Sequence, residues 1–237
     1  MAPRIEGLIV SHGSPSDPEP QEAFVADLAR EVAALTGAEV RGATLAKKGA
    51  LETAVRGLTR PLVFPHFMAD GWFVSTNLPK RLAAAGLAEW EIARPLGMIE
   101  ALPKYAMSRL LVTMTEDDLP PGETTLIVAA HGSPSDPRPA RATEAFANRL
   151  RQSGAFSAVR VGYVDEEPSL EDAASVAGPA IVLPFFAARA GHVLMDLPEA
   201  LEAAHYQGVV LPPIGTWSDI PVLIAENLYQ PQRAHVA

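Results

Sequence analysis

The chain contains no cysteine. That excludes a disulfide framework, a thiolate metal site, an iron–sulfur cluster and a cysteine nucleophile, and it leaves His, Asp, Glu, Met or water to hold any metal. An excess of positive charge is lacking too: 19 Lys and Arg stand against 28 Asp and Glu, a formal net charge of −9, with the basic residues scattered. Nucleic acid and anionic membranes are bound chiefly through clustered Lys and Arg, so neither is expected as a partner. No apolar run is long enough to span a bilayer. The opening Met1-Ala2-Pro3-Arg4-Ile5-Glu6 runs into a strand without the basic region, apolar core and cleavage site of a signal peptide. A cytoplasmic protein is the expectation. At 237 residues, 48% of them hydrophobic, the chain has enough material for one large or two modest domains.

What is present centres on Thr125-Leu126-Ile127-Val128-Ala129-Ala130-His131-Gly132-Ser133-Pro134-Ser135-Asp136-Pro137. A short apolar run cut off by Gly, Pro and Ser reads as a buried strand ending in a turn. His131 therefore falls at the strand's carboxyl end, where open α/β sheets bind their ligands. Leu8-Ile9-Val10-Ser11-His12-Gly13-Ser14-Pro15-Ser16-Asp17-Pro18 spells nearly the same thing. The spacing from His12 to Leu51 and Pro79 equals that from His131 to Leu170 and Pro198, and Pro95-Leu96-Gly97 matches Pro213-Ile214-Gly215. The chain is an internal duplication.

Each copy alternates strands and helices. In the first, strands are expected at Gly7 to Val10, Ala38 to Leu45, Pro61 to Phe64 and Trp90 to Leu96. Helices are expected from Pro20 to Leu35 with Phe24, Leu28, Val32 and Leu35 inward, near Ala50, from Val74 to Ala85 and from Ile99 to Met114. The acidic, proline-bearing stretch from Glu116 to Gly122 reads as the linker. The second copy repeats the order. Right-handed βαβ crossovers then give two similar α/β/α domains with parallel sheets, residues 1–115 and 124–237, facing across a cleft.

Differences between the copies point to function. Both keep His-Gly-Ser-Pro-Ser-Asp-Pro, in which Asp17 and Asp136 are placed to cap the next helix. After the second strand, Asp165-Glu166-Glu167 of the second copy faces Ala46-Lys47-Lys48 of the first. Glu166 and Glu167 also suit a helix N-terminus, whereas Asp165 falls at the strand end itself. After the third strand, Ala190-Gly191-His192-Val193 aligns so that His192 faces Phe73, and His66 is out of register. His131, His192 and Asp165 thus come from three strand ends of one sheet. Two imidazoles and a carboxylate suit a divalent first-row metal with open positions, and equally suit proton transfer. An α/β-hydrolase is excluded by the absence of a Gly-x-Ser-x-Gly elbow, and a histidine phosphatase by Ser11 and Ala130 where Arg is usual before His-Gly.

The His131-Gly132-Ser133 turn, Val164-Asp165-x-x-Pro168-Ser169-Leu170, Leu183-Pro184-Phe185-Phe186 leading to Gly191-His192-Val193, and Asp196-Leu197-Pro198 resemble the sirohydrochlorin chelatases, the CbiX type of class II chelatase, in their long duplicated form. The resemblance spans essentially the whole chain. It implies a lyase that inserts Co²⁺ or Fe²⁺ into a tetrapyrrole such as sirohydrochlorin without ATP, in cobalamin or siroheme biosynthesis. The metal is a substrate and no cofactor is permanently bound. His131 and His192 would bind the metal or accept pyrrole protons. Asp165 would assist where the family usually has glutamate, with Glu166 as the alternative acid. Ser133, Arg138, Arg189, Phe185, Phe186 and Phe73 are the expected substrate contacts, the arginines, with Arg141 and Lys47-Lys48, for carboxylate arms and the aromatic rings, Trp72 included, for a flat macrocycle. The first copy then reads as a degenerate scaffold, and the chain as a monomer or homodimer. The alternative is a protein that holds metal or tetrapyrrole without turnover.

Overall fold

Leu8, Ile9 and Val10 of the first copy and Leu126, Ile127, Val128 and Ala129 of the second have no exposed surface. A strand buried on both faces belongs inside a parallel sheet covered by helices on both sides. The structure, a computed structural model, describes residues 5–189, 191 and 195–229 and has that arrangement twice. The first copy runs β1 (Glu6–Ser11), α1 (Pro18–Thr36), β2 (Glu39–Thr44), α2 (Ala50–Ala54), β3 (Leu62–Pro65), α3 (Leu78–Ala84), β4 (Glu91–Ile92), α4 (Leu102–Glu116). The second runs β5 (Thr125–Ala130), α5 (Arg138–Arg151), β6 (Ala158–Tyr163), α6 (Leu170–Ala174), β7 (Ala180–Pro184), α7 (Leu197–Ala203), β8 (Val209–Val210), α8 (Ile220–Tyr229). The sheets have the orders β2-β1-β3-β4 and β6-β5-β7-β8, every pair parallel. Ser11 pairs with Thr44 as Ala130 pairs with Tyr163, so the copies agree residue by residue.

On one face of the first sheet, Leu8, Val10 and Val63 pack with Leu51 and Ala54 of α2 and Leu78 and Leu82 of α3. Each buried leucine contributes about 1.5–3 kcal/mol by leaving water. On α1 the inward residues are Val25, Leu28, Ala29 and Val32. Leu35, expected inward, is 55% exposed because it lies in the helix's last turn, past the buried stripe. The strand expected from Trp90 to Leu96 is paired only at Glu91 and Ile92. It is an edge strand with one neighbour, and the chain then turns into a short 3₁₀ helix at Leu96–Met98. The helix expected from Val74 enters instead through a π turn at Phe73–Asn77, a local widening common near functional sites.

The expected domains, 1–115 and 124–237, are repeats of the sequence, and the compact units divide the chain elsewhere. Unit 2 is Glu100–Trp217, and unit 1 holds the chain up to Ile99 and again from Ser218. Helix α4 therefore belongs with β5 to β8, and α8 with β1 to β4. In unit 1, α8 packs on α1, and Leu228 lies against Gly7. The linker connects α4 to β5 inside unit 2, so a composition break there marks no boundary between units.

One glycine position holds the strand-end loops in both units. A Cβ on Gly97 would lie 2.1 Å from the Met68 carbonyl oxygen, and one on Gly215 would lie 2.2 Å from that of Ala187. Gly97 N–H donates to Phe67 O at 3.1 Å and Gly215 N–H to Phe186 O at 2.9 Å. Gly97→Ala and Gly215→Ala should each destabilise the chain by about 3 kcal/mol through forced backbone movement, read as a lower denaturation midpoint in urea. An unchanged midpoint in either variant would contradict that close approach.

Candidate active site

Strand β5 is buried along its whole length, and the chain leaves the sheet at His131. Gly132 has φ +75°, and a Cβ there would meet the Glu166 side chain at 2.8 Å, so the turn admits only glycine. His131 keeps 44% of its side chain exposed and Asp165, just beyond β6, keeps 41%. Backbone and side chains join the two. Asp165 N–H donates to His131 O at 3.0 Å, and His131 Nδ1 lies 3.1 Å from Asp165 Oδ2. Nδ1 is also 3.1 Å from Gly132 O. A carboxylate and a carbonyl only accept, so Nδ1 carries the hydrogen, and in the neutral ring Nε2 has the lone pair. The result is an imidazole oriented by a carboxylate, the arrangement that fixes the direction of a metal-binding or proton-accepting nitrogen.

Glu166 has a different task. Its Oε1 accepts from Ser133 N–H at 3.2 Å and its stem packs under Gly132, so it anchors the histidine turn. Glu167 is the helix-end acid, with Oε2 accepting from Ser169 N–H at 2.9 Å, while Ser169 Oγ caps α6 by accepting from Asp172 N–H at 3.0 Å. Of the two candidate acids, Asp165 is the one beside the imidazole. Burial, with the Glu144 and Glu166 charges, pushes the Tyr163 phenol up to about 12, so it stays protonated at neutral pH and offers no base.

Other expected contacts divide. Arg138 grips Asp136, Nε to Oδ1 at 2.9 Å and Nη2 to Oδ2 at 2.7 Å, and Asp136 Oδ1 also takes the Arg138 N–H at 3.0 Å. Asp136 lies one residue before the N-cap position, Pro137, and holds only the first N–H of α5, and Asp17, at the N-cap of α1, makes no side-chain cap bond, so neither helix has the expected cap. Arg189 is exposed and Ser133 half-buried. Phe185 and Phe186 do not form a surface for a ligand, contrary to expectation. Phe185, 2% exposed, packs on Phe146 of α5 at 4.5 Å between ring centroids. Phe186, 8% exposed, lies in the core with Ile127, Leu170 and Leu197. Consecutive extended residues face opposite sides of a sheet, and helices cover both sides here. His192 lies outside the described residues. Among those described, no three His, Asp or Glu side chains gather to hold an ion.

Unit 1 repeats the backbone without the acid. Ala46 N–H donates to His12 O at 2.9 Å, as Asp165 does to His131, and His12 Nδ1 lies 2.8 Å from Gly13 O. Phe73 stands edge-on to His12, ring centroids 4.3 Å apart, and is 39% exposed. His66 is buried, with its ring 5.7 Å from Phe24 of α1, and its N–H bonds Val10 O at 2.7 Å as Phe185 bonds Ala129 O. It occupies the place that Phe185 holds in unit 2. Sequence reasoning missed the Glu166 anchor, for which the only signal was a carboxylate one residue past the strand end.

The CbiX family model matches this chain twice, over residues 6–112 and 125–230. The chain belongs to the CbiX family. The two matches meet at the predicted linker, so the duplication is a duplication of the family's own unit. A solved CbiX, described as the terminal enzyme for biosynthesis of siroheme in denitrifying bacteria, is 41% identical with a TM-score of 0.87, covering 96% of this chain and 99% of that one. SirB from Bacillus subtilis, solved with Fe³⁺, shares the fold at 17% identity and a TM-score of 0.77, covering 97% and 96%. A probable sirohydrochlorin cobaltochelatase of Halobacterium salinarum is 24% identical over 221 residues, 81% of this chain and 75% of that protein. The two parallel α/β sheets are the fold of the CbiX chelatases.

Proposed function

We propose that this chain inserts a divalent metal, Co²⁺ or Fe²⁺, into sirohydrochlorin or a closely related tetrapyrrole without ATP. The His131–Asp165 pair at adjoining strand ends carries the reading. Insertion must strip water from the metal and remove two pyrrole N–H protons. The Nε2 lone pair of His131 serves either step, and the Asp165 carboxylate stabilises the imidazolium that proton transfer leaves. His192 is the second imidazole of this proposal, and unit 1 supports it: its counterpart Phe73 lies in ring contact with His12, the counterpart of His131. Arg189 and Ser133 are proposed to meet the macrocycle's carboxylates. Arg138 contributes less, since Asp136 already neutralises it. The relatives agree in chemistry, one described as the terminal enzyme of siroheme biosynthesis and another as a cobaltochelatase. No helix among the described residues is long and apolar enough to cross a membrane, and we propose a cytoplasmic monomer or homodimer.

The test is anaerobic incubation with sirohydrochlorin and Co²⁺, with no nucleotide. The expected result is a shifted visible spectrum over many turnovers, lost in His192→Ala. Stoichiometric binding without turnover would replace the enzyme by a holding protein of the same fold. A wild-type chain that neither binds nor converts the tetrapyrrole would end both readings.

A further inference from the structure

At the amino ends of their strands the two units also differ. In unit 1 that end is filled and charged. Trp90, just before β4, packs on the core of its sheet. Glu6 Oε2 accepts from the Thr59 and Arg60 N–H groups at 2.9 Å each, and Arg60 Nη2 bonds Glu91 Oε1 at 3.0 Å. Strand register puts Thr125, Gly178, Pro179, Gly208 and Val209 of unit 2 where Glu6, Thr59, Arg60, Trp90 and Glu91 stand in unit 1. The indole and those charges are gone, and a hollow of about 390 Å³ opens there, walled by Leu119, Val176, Pro179 and Tyr206. Pockets for small molecules span about 300–1,000 Å³. A Cβ on Gly208 would lie 2.3 Å from Ala180 O and from Tyr206 Oη, so no side chain can refill the space from the position of Trp90. Tyr206 Oη donates to Val209 O at 3.1 Å, which fixes its ring as one wall. His205, also on the lining, has φ +51°, where unit 1 has Gly86 at φ +97°. The turn is the same in both: His205 N–H donates to Glu202 O at 2.9 Å and Tyr206 N–H to Leu201 O at 2.9 Å, as Gly86 does to Ala83 O at 3.0 Å and Leu87 to Leu82 O at 3.2 Å. Glycine suits that turn without strain, so an imidazole held there against backbone preference points to a task for the side chain.

We propose that this hollow is a second ligand site, at the end of the unit 2 sheet away from His131 and Asp165, for an uncharged planar molecule of one or two fused rings bearing an N–H or O–H group. It stands independently of the chelatase reading. The ligand is planar because unit 1 fills the corresponding place with an indole ring and because Tyr206 offers an aromatic wall for stacking or edge contact. It is uncharged because no Asp, Glu, Lys or Arg is among the described residues that line the hollow, so a charge would enter without a partner. Its N–H or O–H meets an acceptor in the imidazole nitrogen of His205 or the amide oxygen of Gln207, both on the lining.

Indole titrated into the ¹⁵N-labelled full chain, with the Gly178 and Gly208 amide resonances followed by NMR, tests this. The expected result is a saturable shift at both amides with a Kd of about 1 mM or tighter, the range open to so small a ligand. Val176→Trp fills the hollow and should abolish the shift. His205→Gly keeps the left-handed turn, as Gly86 does in unit 1, so it should melt no lower than wild type and yet bind indole about tenfold more weakly. This second variant keeps the test decisive if Val176→Trp does not fold. A turn residue with no part in binding predicts wild-type affinity in His205→Gly. That result, indole binding retained in Val176→Trp, or no saturable shift in the wild-type chain up to about 10 mM would each overturn the site.

Discussion

His131→Ala is expected to lower the rate of metal insertion by about 10²- to 10⁴-fold, the usual worth of a positioned acid–base group. The loss should be larger than for any neighbouring residue. Asp165→Ala removes the carboxylate 3.1 Å from Nδ1 and leaves Gly132 O to orient the ring without a charge behind it, and effects of that kind are about 10- to 100-fold. Glu166 separates chemistry from support. Glu166→Ala removes the acceptor of Ser133 N–H and loosens the turn at Gly132, whereas Glu166→Gln keeps an acceptor and should recover most of the rate. Steady-state rates with sirohydrochlorin and Co²⁺ order the series. If His131→Ala turned over like wild type, the proton and metal roles given to that imidazole would both be wrong.

The second large effect is a gain. Ala46→Asp with Phe73→His should build a second Co²⁺ site in unit 1, raising the stoichiometry from one to two. His12 already presents a ring whose Nδ1 faces Gly13 O at 2.8 Å, so in the neutral ring the lone pair is on Nε2. The ring at position 73 stands 4.3 Å from it, centroid to centroid, close enough for two imidazoles to share one ion after a rotamer change. The backbone bond from Ala46 to His12 matches that from Asp165 to His131, so an aspartate at 46 has the same approach. Equilibrium dialysis with Co²⁺ counts the sites. A second equivalent validates the set of His131, Asp165 and His192 without altering it. A stoichiometry that stays at one would show that this spacing of rings and acid does not make a metal site.

The site was legible in the sequence where a strand end fixed it. Apolar runs cut by glycine and proline placed His131 and Asp165 one residue and two residues beyond β5 and β6, and parallel pairing of adjacent strands then had to bring them together. Aromatic residues at the next strand end misled. Phe185 and Phe186 follow β7 as His131 follows β5, yet both belong to the core, because whether a residue after a strand emerges depends on where the covering helices stop. The pairing of Arg138 with Asp136 and of Glu166 with Ser133 was equally hidden, since each joins groups whose meeting depends on rotamer and turn geometry.

By itself the sequence determined the duplication, the alternation of strands and helices, and the position of His12, His131 and Asp165 just past the carboxyl ends of their strands. Those follow from periodicity and spacing, which are local. Only the tertiary structure decided that α4 joins unit 2 and α8 joins unit 1, and that Phe73 rests on His12 while His66 takes a core position. An amphipathic helix carries an apolar stripe in its sequence but no record of which sheet or helix will cover it, so those choices are made by packing.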